Sequence, residues 1–122
     1  MTASHLVVKI THGPQEDSLE RLAQGLTVAA TATAAGVTVS LWLTGDATLV
    51  ATKGADLPSL EHSAPLADLV ATVLEAGTVT VCTQCARRRA LTETDLVEGA
   101  RIAGAAAFVE ETLADDTRAL VY

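Results

Sequence analysis

The chain alternates between two kinds of apolar segment, and this alternation limits its fold more than any other feature. Short runs rich in β-branched residues are followed by longer segments in which apolar residues recur at helical spacing. The strand-like runs lie at residues 6–10, 37–43, 78–81, 100–102 (within the less regular stretch 96–102) and 118–122. The helical segments lie at residues 19–36, 66–77, 84–89 and 105–113. The pattern predicts an α/β fold with a mostly parallel, five-stranded sheet covered by helices on both faces.

Local signals indicate where the helices should begin and end. Asp17 and Glu20 stand three residues apart before the first helical stripe, a plausible capping pair, and Gly36 is placed to end that helix. The less regular stretch 45–58 is expected to hold one short helix. The last helix is expected to have Ala105, Phe108, Val109, Thr112 and Leu113 on one face.

The length of 122 residues suits one domain, residues 1–122, with a single core. Apolar residues make up 49% of the chain but only three side chains are aromatic, so the core must consist of Val, Leu, Ile and much Ala. A body this small cannot bury every alanine. We interpret the excess as subunit contact surface, because large exposed apolar patches usually mark interfaces. A genome biased towards alanine codons is the alternative explanation.

The charge and the absence of apolar spans exclude several classes of function. A net charge of −7 argues against nonspecific nucleic-acid binding, which needs a broad basic surface. Residues 1–5 lack the pattern of a signal segment, and no apolar run is long enough to cross a bilayer. We therefore expect a cytoplasmic protein without nucleic-acid or membrane partners. In that reducing environment a C-x-x-C pair indicates redox, sulfur or metal chemistry more than a structural disulfide.

The two cysteines of the chain, Cys82 and Cys85, come directly after the strand-like run 78–81 and directly before three arginines, residues 87–89. A thiol becomes a good nucleophile only as the thiolate, which cations and a helix amino terminus favour. A backbone N–H of the turn at residues 83–85, which includes Gln84, would also stabilise the anion. The segment therefore predicts a reactive sulfur centre. The alternative is an inert core thiol beside a solvated basic helix.

The expected topology brings further residues to the same place. In open parallel sheets, ligands and chemistry collect at the carboxyl ends of the strands. That rule predicts that the loops at residues 12–17, 44–46 and 82–85 lie together. Gly13, in the first of these loops, is expected to line the pocket.

Several motifs together resemble the DsrE/DsrF-like family, which includes TusD-type sulfur-relay subunits and YchN-like proteins. The similarity extends nearly end to end. The motifs are a Gly-containing loop with an acidic residue before the first helix, Gly36-Val37-Thr38-Val39, Leu41-Trp42-Leu43-Thr44-Gly45-Asp46, Val81-Cys82 followed by Ala86, Arg88 and Arg89, and Ala103-Gly104 before Leu113-Ala114-Asp115. The resemblance implies a three-layer α/β/α fold and a homo-oligomer, commonly a trimer or a hexamer.

The chemistry that the resemblance implies is sulfur relay between a persulfide donor protein and a sulfur acceptor protein. Cys82 occupies the position of the family's sulfur-accepting cysteine. Cys85 is then an auxiliary or resolving thiol, and Arg88 and Arg89 are thiolate stabilisers. Two positions differ from the family pattern: Ala90 replaces a frequent glycine, and Cys85 replaces a small residue without a thiol. The second thiol leaves open that a Cys82 persulfide resolves into a disulfide.

Two other functions fit the same pair of cysteines. A dithiol oxidoreductase would cycle a Cys82–Cys85 disulfide as thioredoxin-like enzymes do. However, Pro14, Pro58 and Pro65 all precede the motif, so the proline that such enzymes place after it is missing. A noncatalytic oligomeric domain that binds a small anion through the arginine turn is the third possibility.

The sequence indicates neither a metal nor a cofactor. Structural zinc needs four ligands, and beside the two thiols only three histidines, His5, His12 and His62, are available. The chain has neither a GxGxxG nor a Walker pattern, and it lacks the aromatic residues that would hold a flavin ring. An intersubunit metal site is the one arrangement that the sequence leaves open.

Overall fold

The computed structural model of the protein describes residues 3–122. Of the amino-terminal segment 1–5 considered above as a possible signal, residues 1–2 lie outside the described part. Strands and helices alternate as predicted: β1 (His5–Ile10), α1 (Leu19–Ala34), β2 (Thr38–Leu43), α2 (Leu66–Ala76), β3 (Thr78–Cys82), α3 (Thr83–Arg88), β4 (Arg101–Ala103), α4 (Ala105–Thr112) and β5 (Thr117–Val121). The stretch after β2 forms a 3₁₀ helix, Gly45–Ala51, and a second one spans Glu93–Asp95.

The five strands form one sheet in the order β4-β3-β2-β1-β5, and every neighbouring pair is parallel. The α/β fold class is therefore confirmed. The register aligns Lys9, Trp42, Thr80 and Arg101 in one row across β1 to β4. Because register partners in a parallel sheet point to the same face, these four side chains share one face.

The opposite face of the sheet carries the main core. Its strands contribute aliphatic side chains, which α1 and α2 cover with their own buried residues. The buried strand residues of this face are Val8, Ile10, Val39, Leu41, Leu43, Val79 and Val81, and the helix residues packed in the same core include Leu22, Leu26, Leu69, Val70 and Val73. No helix in residues 3–122 has the length and apolar character needed to cross a bilayer.

The apolar face predicted for the last helix is only partly covered in the structure. Phe108 of α4 packs its ring against Trp42 of the sheet, but no α4 residue is fully buried. Val109 is 51% exposed and Leu113, just beyond the helix, is 78% exposed. The physical reason is that α4 has only eight residues and touches the sheet along one narrow side, so the rest of its apolar surface meets solvent in the single chain.

The expected capping pair of α1 does not form. The helix begins after Ser18, whose side chain makes no capping hydrogen bond and whose backbone is already helical, whereas an N-cap residue is normally extended. The Ser18 hydroxyl instead donates to the neighbouring Asp17 carboxylate at 3.4 Å. The carboxyl end matches the expectation, because α1 ends at Ala34 and Gly36 has a φ of +88°, a conformation that favours glycine.

Candidate functional site

The loops that follow β1, β2 and β3 meet at the carboxyl edge of the sheet. Gly13, after β1, is buried against Asp46, after β2: a methyl group built on Gly13 would stand 2.4 Å from Asp46 Cβ. Only a glycine permits this approach. Gln15 Nε2 also donates to Asp46 Oδ2 at 2.8 Å. Gly13 thus shapes the contact between two loops of the site.

Asp46 also holds the segment that carries the cysteines. Its Oδ1 accepts a 2.7 Å hydrogen bond from Arg89 Nη2, and Arg89 Nη1 donates to the Cys85 carbonyl at 3.2 Å. The Arg89 guanidinium is therefore engaged by Asp46 and by the backbone of α3. These contacts favour a role in positioning the loops over the predicted role in stabilising a thiolate.

The two thiols are both free, but their surroundings differ. Cys85 is buried, and its sulfur accepts a 3.1 Å hydrogen bond from the Gly45 N–H. The Cys85 side chain in turn acts as a hydrogen-bond partner that lowers the pKa of Cys82. Cys85 therefore lies in the right place to donate its S–H proton to a thiolate at Cys82.

Cys82 is the last residue of β3 and the N-cap of α3, and it is partly exposed. Its side chain makes no fully formed capping hydrogen bond, but the first N–H groups of the helix still act on its sulfur. Burial raises the pKa of Cys82. The N–H groups of Cys85 and Gln84, the Cys85 side chain and the charge of Lys9 lower it by more, so that the pKa lies below its usual value. The site thus favours the nucleophilic thiolate.

Lys9 is the cation that acts on Cys82, and the sequence analysis missed it. It lies on β1, an interior strand of the sheet, beside its register partner Trp42. One signal in the sequence could have identified it: Lys9 is a charged residue within an apolar run that is expected to be covered on both faces. A charge at such a position rarely lacks an interaction partner. The role of stabilising the thiolate was assigned to the arginines instead, because they are close to Cys82 in sequence. However, Arg88 is exposed, as is the side chain of Gln84, whose contribution comes from its backbone.

A small cavity of about 60 Å³ adjoins Cys82 between α4 and the sheet. Its wall consists of Lys9, Trp42, Thr44, Cys82, Ala105 and Phe108. The Trp42 and Phe108 rings meet edge to face with their centroids 5.3 Å apart, and Lys9 Nζ lies 5.0 Å from the Phe108 centroid. The thiol therefore faces a space enclosed by two aromatic rings and one ammonium group.

A polar network holds α4 over this cavity. Glu111 of α4 accepts hydrogen bonds from Ser40 and from Trp42 Nε1, the latter at 3.2 Å. Arg101 forms a 2.9 Å ion pair with Glu111 and donates to Thr80 Oγ1 at 2.8 Å. These contacts connect α4 to β2, β3 and β4, so they determine where Phe108 stands above Cys82.

The histidines do not join the thiols. His12 Nε2 lies 2.9 Å from Arg21 Nη1, and His62 is exposed beside Glu61. Within residues 3–122, no three His, Cys, Asp or Glu side chains group closely enough to hold a metal ion.

Two grooves larger than this cavity lie away from the cysteines. One, of about 480 Å³, runs along the amino ends of the strands beside His5 and Thr38. The other, of about 450 Å³, lies between α1 and the loop at His62. We place the candidate site at the smaller cavity because it contains the thiol whose pKa is lowered.

Alkylation of Cys82 by a neutral reagent is expected to reach half of its maximal rate at a lower pH than alkylation of an unperturbed cysteine, because the pKa of Cys82 is lowered. Burial acts against this result, but the hydrogen bonds of α3 and the Lys9 charge outweigh it. Alkylation rates over a pH series, assigned to Cys82 by peptide mass mapping, measure the midpoint. A midpoint at or above that of a free cysteine would contradict the prediction.

The same ionisation links the stability of the fold to pH. Because the pKa of Cys82 is lower in the folded state, its ionisation adds to the free energy of unfolding at every pH above the unfolded-state pKa. This contribution is lost as the pH falls through the folded-state pKa. Cys82→Ser, which cannot ionise in this range, is the control that should lack this pH dependence.

Comparisons with known proteins agree with this fold. The model of the DsrE/DsrF-like family matches residues 5–118. The ychN protein from E. coli is similar over 100% of both chains, with 18% identity and a TM-score of 0.79. The protein of unknown function MTH1491 from Methanobacterium thermoautotrophicum has 12% identity and a TM-score of 0.69, over 97% of this chain and 98% of that chain. No curated protein matches significantly.

The two solved structures and the family model carry different information. At identities of 18% and 12%, the structures show that the fold is shared and no more than that. The family match extends from the first residue of β1 into β5 and includes both cysteines. On that match, the chain belongs to the DsrE/DsrF-like family.

Proposed function

We propose that the protein, as a single domain of residues 1–122, is a small sulfur carrier or sulfurtransferase that accepts persulfide sulfur on Cys82 and relays it to a partner. The observation that carries the proposal is a partly exposed cysteine with a lowered pKa, placed at the carboxyl edge of the sheet beside a lysine. Membership of a family associated with sulfur relay supports it.

The proposed reaction is a thiol–persulfide exchange. The Cys82 thiolate attacks the outer sulfur of a donor persulfide, R–S–SH, forming a new S–S bond to Cys82. The S–S bond of the donor breaks, and the donor leaves as the thiolate R–S⁻ with the electron pair. Cys82 now carries the extra sulfur as a persulfide. A thiolate of the acceptor protein removes that sulfur by the same step in reverse, so no external oxidant or reductant is needed.

Cys85 gives the site a second possible outcome, because its side chain lies within hydrogen-bonding reach of Cys82. Its thiolate would attack the inner sulfur of a Cys82 persulfide, form a Cys82–Cys85 disulfide and expel hydrosulfide. This is the resolving role proposed for Cys85, and the disulfide it forms is also the intermediate of the alternative function, a dithiol oxidoreductase. The anion-binding alternative has less support, because Arg89 is already paired with Asp46.

Mass spectrometry of the reduced protein after exposure to a persulfide donor tests the proposal. One added sulfur on the peptide containing Cys82 is the expected result. Loss of two hydrogens with a link between Cys82 and Cys85 would favour the dithiol reaction. An unchanged mass in a normally folded protein would contradict sulfur acceptance.

We also propose that the donor and the acceptor are proteins of the cytoplasm, where free thiols persist. The partly exposed position of Cys82 at the edge of the sheet gives a partner's sulfur access to it. In this view the protein binds neither nucleic acid nor membrane, and it uses no cofactor.

An exposed apolar patch supports the proposal that the chain forms a homo-oligomer, a trimer or a hexamer. The patch consists of Val109 and Leu113 at α4 and of Val121 on β5, whose exposed fractions range from 51% to 78%. The edge strand β5 contacts α4, and Val121 shares the sheet face of its register partner Lys9, which is the face that α4 covers. Leu120, 41% exposed, lies on the opposite face of the same edge strand. An exposed apolar region at a sheet edge is normally covered by another segment or by a second subunit.

Leu113→Glu is expected to shift the protein from an oligomer to a monomer, because a charge would be buried at the centre of the proposed contact. Size-exclusion chromatography with light scattering measures the change in mass. Ala71→Glu places the same charge on the exposed side of α2 and serves as the matched control. A wild-type protein that is monomeric at micromolar concentration would contradict the proposed assembly.

A further inference from the structure

We propose that the small cavity beside Cys82 is a binding site for the outer sulfur of a persulfide on that residue, with Lys9 as its counter-ion and with Trp42 and Phe108 as its walls. The inference rests on the proposed function, because it requires sulfur on Cys82. It identifies the species that the site holds as a single anionic sulfur atom.

The volume of the cavity limits what it accepts. Sites for cofactors and drug-sized ligands measure roughly 300–1,000 Å³, whereas this cavity measures about 60 Å³. A single water molecule needs roughly 10–15 Å³ of such space. The cavity therefore has room for a sulfur atom beyond Cys82 Sγ but is too small for a nucleotide or a drug-sized ligand.

The walls suit a sulfur atom better than a water molecule. Trp42 is 2% exposed, and the Phe108 ring stands edge to face against it at 5.3 Å. Divalent sulfur is polarisable and makes favourable contacts with aromatic rings, especially at their edges. The Trp42 N–H is taken by Glu111 at 3.2 Å, so the indole has no donor left for water in the cavity.

Lys9 supplies the charge. Its ammonium group lies 5.0 Å from the Phe108 centroid, and an attraction between cation and ring keeps it at the cavity. Lys9 is the one charged side chain in the cavity wall. On elements that flank the cavity, Arg101 of β4 and Glu111 of α4 pair with each other at 2.9 Å. Lys9 therefore acts on the cavity without a carboxylate partner there.

The exchange reaction places an ionisable sulfur in this cavity. Before transfer, the charge lies on Cys82 Sγ, where the N–H groups of α3 favour it. During transfer the donor leaves with the charge as R–S⁻, and the Cys82 persulfide becomes an anion again when its outer S–H, one bond farther from those N–H groups, releases its proton to solvent. An outer sulfur in the cavity would lose the stabilisation by the α3 N–H groups and gain that of the Lys9 charge. Phe108 would shield this sulfur from thiols in solution.

Two variants test the site in protein loaded with glutathione persulfide and then desalted. Lys9→Met is expected to move the midpoint of persulfide alkylation by iodoacetamide to higher pH, because the outer sulfur loses its counter-ion. Phe108→Ala is expected to speed removal of the sulfur by free glutathione at least about threefold, because the wall is opened. Lys53→Met, which changes the only other lysine, is the matched control.

The possible outcomes separate this inference from the proposed function. If the wild-type protein takes up no sulfur on Cys82, the proposed function is wrong. This loading experiment is done before any variant is tested. If wild type loads normally but Lys9→Met shows the wild-type midpoint, or Lys53→Met shifts it equally, the role of Lys9 is wrong. If Phe108→Ala loses sulfur at the wild-type rate, the outer sulfur does not lie in the cavity. Phe108 is partly exposed, so its truncation leaves the main core intact.

Discussion

Cys82→Ser is expected to abolish sulfur uptake from a persulfide donor, so that the peptide containing position 82 gains no sulfur. A serine hydroxyl does not ionise near neutral pH and cannot take the place of the thiolate. Cys85→Ser is expected to keep uptake on Cys82 and to extend the lifetime of the persulfide, because the resolving thiol is removed. Intact and peptide masses, taken as a time course after donor addition, measure both effects.

The pair of variants distinguishes a relay on Cys82 from the dithiol reaction. Equal loss of uptake in both variants would contradict a relay on Cys82 alone and would favour the dithiol reaction. Uptake that survives in Cys82→Ser would show that the wrong cysteine has been assigned. Cys82 is partly exposed and lies at the end of a strand, so its replacement should preserve the fold, which circular dichroism checks.

Trp42→Ala is expected to lower the free energy of unfolding by about 3–5 kcal/mol. Trp42 is the largest fully buried side chain, it packs against Phe108, and its Nε1 donates to Glu111. Since a small domain has a total stability of only about 5–15 kcal/mol, this loss would bring the protein close to unfolding. Urea denaturation followed by far-ultraviolet circular dichroism measures it, because Trp42 is the only tryptophan.

Trp42→Phe is the matched control, since it keeps an aromatic ring but removes the N–H group. Its stability should lie between those of wild type and Trp42→Ala. The alanine variant should also show faster alkylation of Cys82, because α4 loses the packing of Phe108 on the Trp42 ring and the hydrogen bond from Trp42 Nε1 to Glu111. A loss below about 1 kcal/mol in Trp42→Ala would show that the residue does not anchor α4.

Elements with a strong local signal were predicted most accurately. The runs that became β1, β2 and β3 alternate or concentrate β-branched residues, and this pattern identified them to within one residue at each end. For α4, apolar spacing predicted one common face, but that face includes the exposed Val109 and Leu113. A periodic pattern shows that a surface is apolar but does not show whether the same chain covers it.

The candidate site shows the same division between local and long-range information. The position of Cys82 at a strand end, before a helix, follows from neighbouring residues and was predicted from them. The cation near its sulfur was not, because Lys9 reaches the site only through the pairing of β1 with β2 and of β2 with β3. Arg89, close to Cys82 in sequence, is instead held by Asp46 from another loop.

The sequence by itself determined the order of strands and helices, the parallel sheet and the edge at which the two thiols lie. The order of strands and helices depends on residues that are close in the chain, and the parallel sheet and its carboxyl edge follow from that order, because strands joined by helical crossovers run parallel. Only the tertiary structure decided which cation faces the thiol, which aromatic rings enclose it and which apolar surface stays exposed. Those features depend on distances between side chains far apart in sequence, and such distances exist only once the sheet has formed.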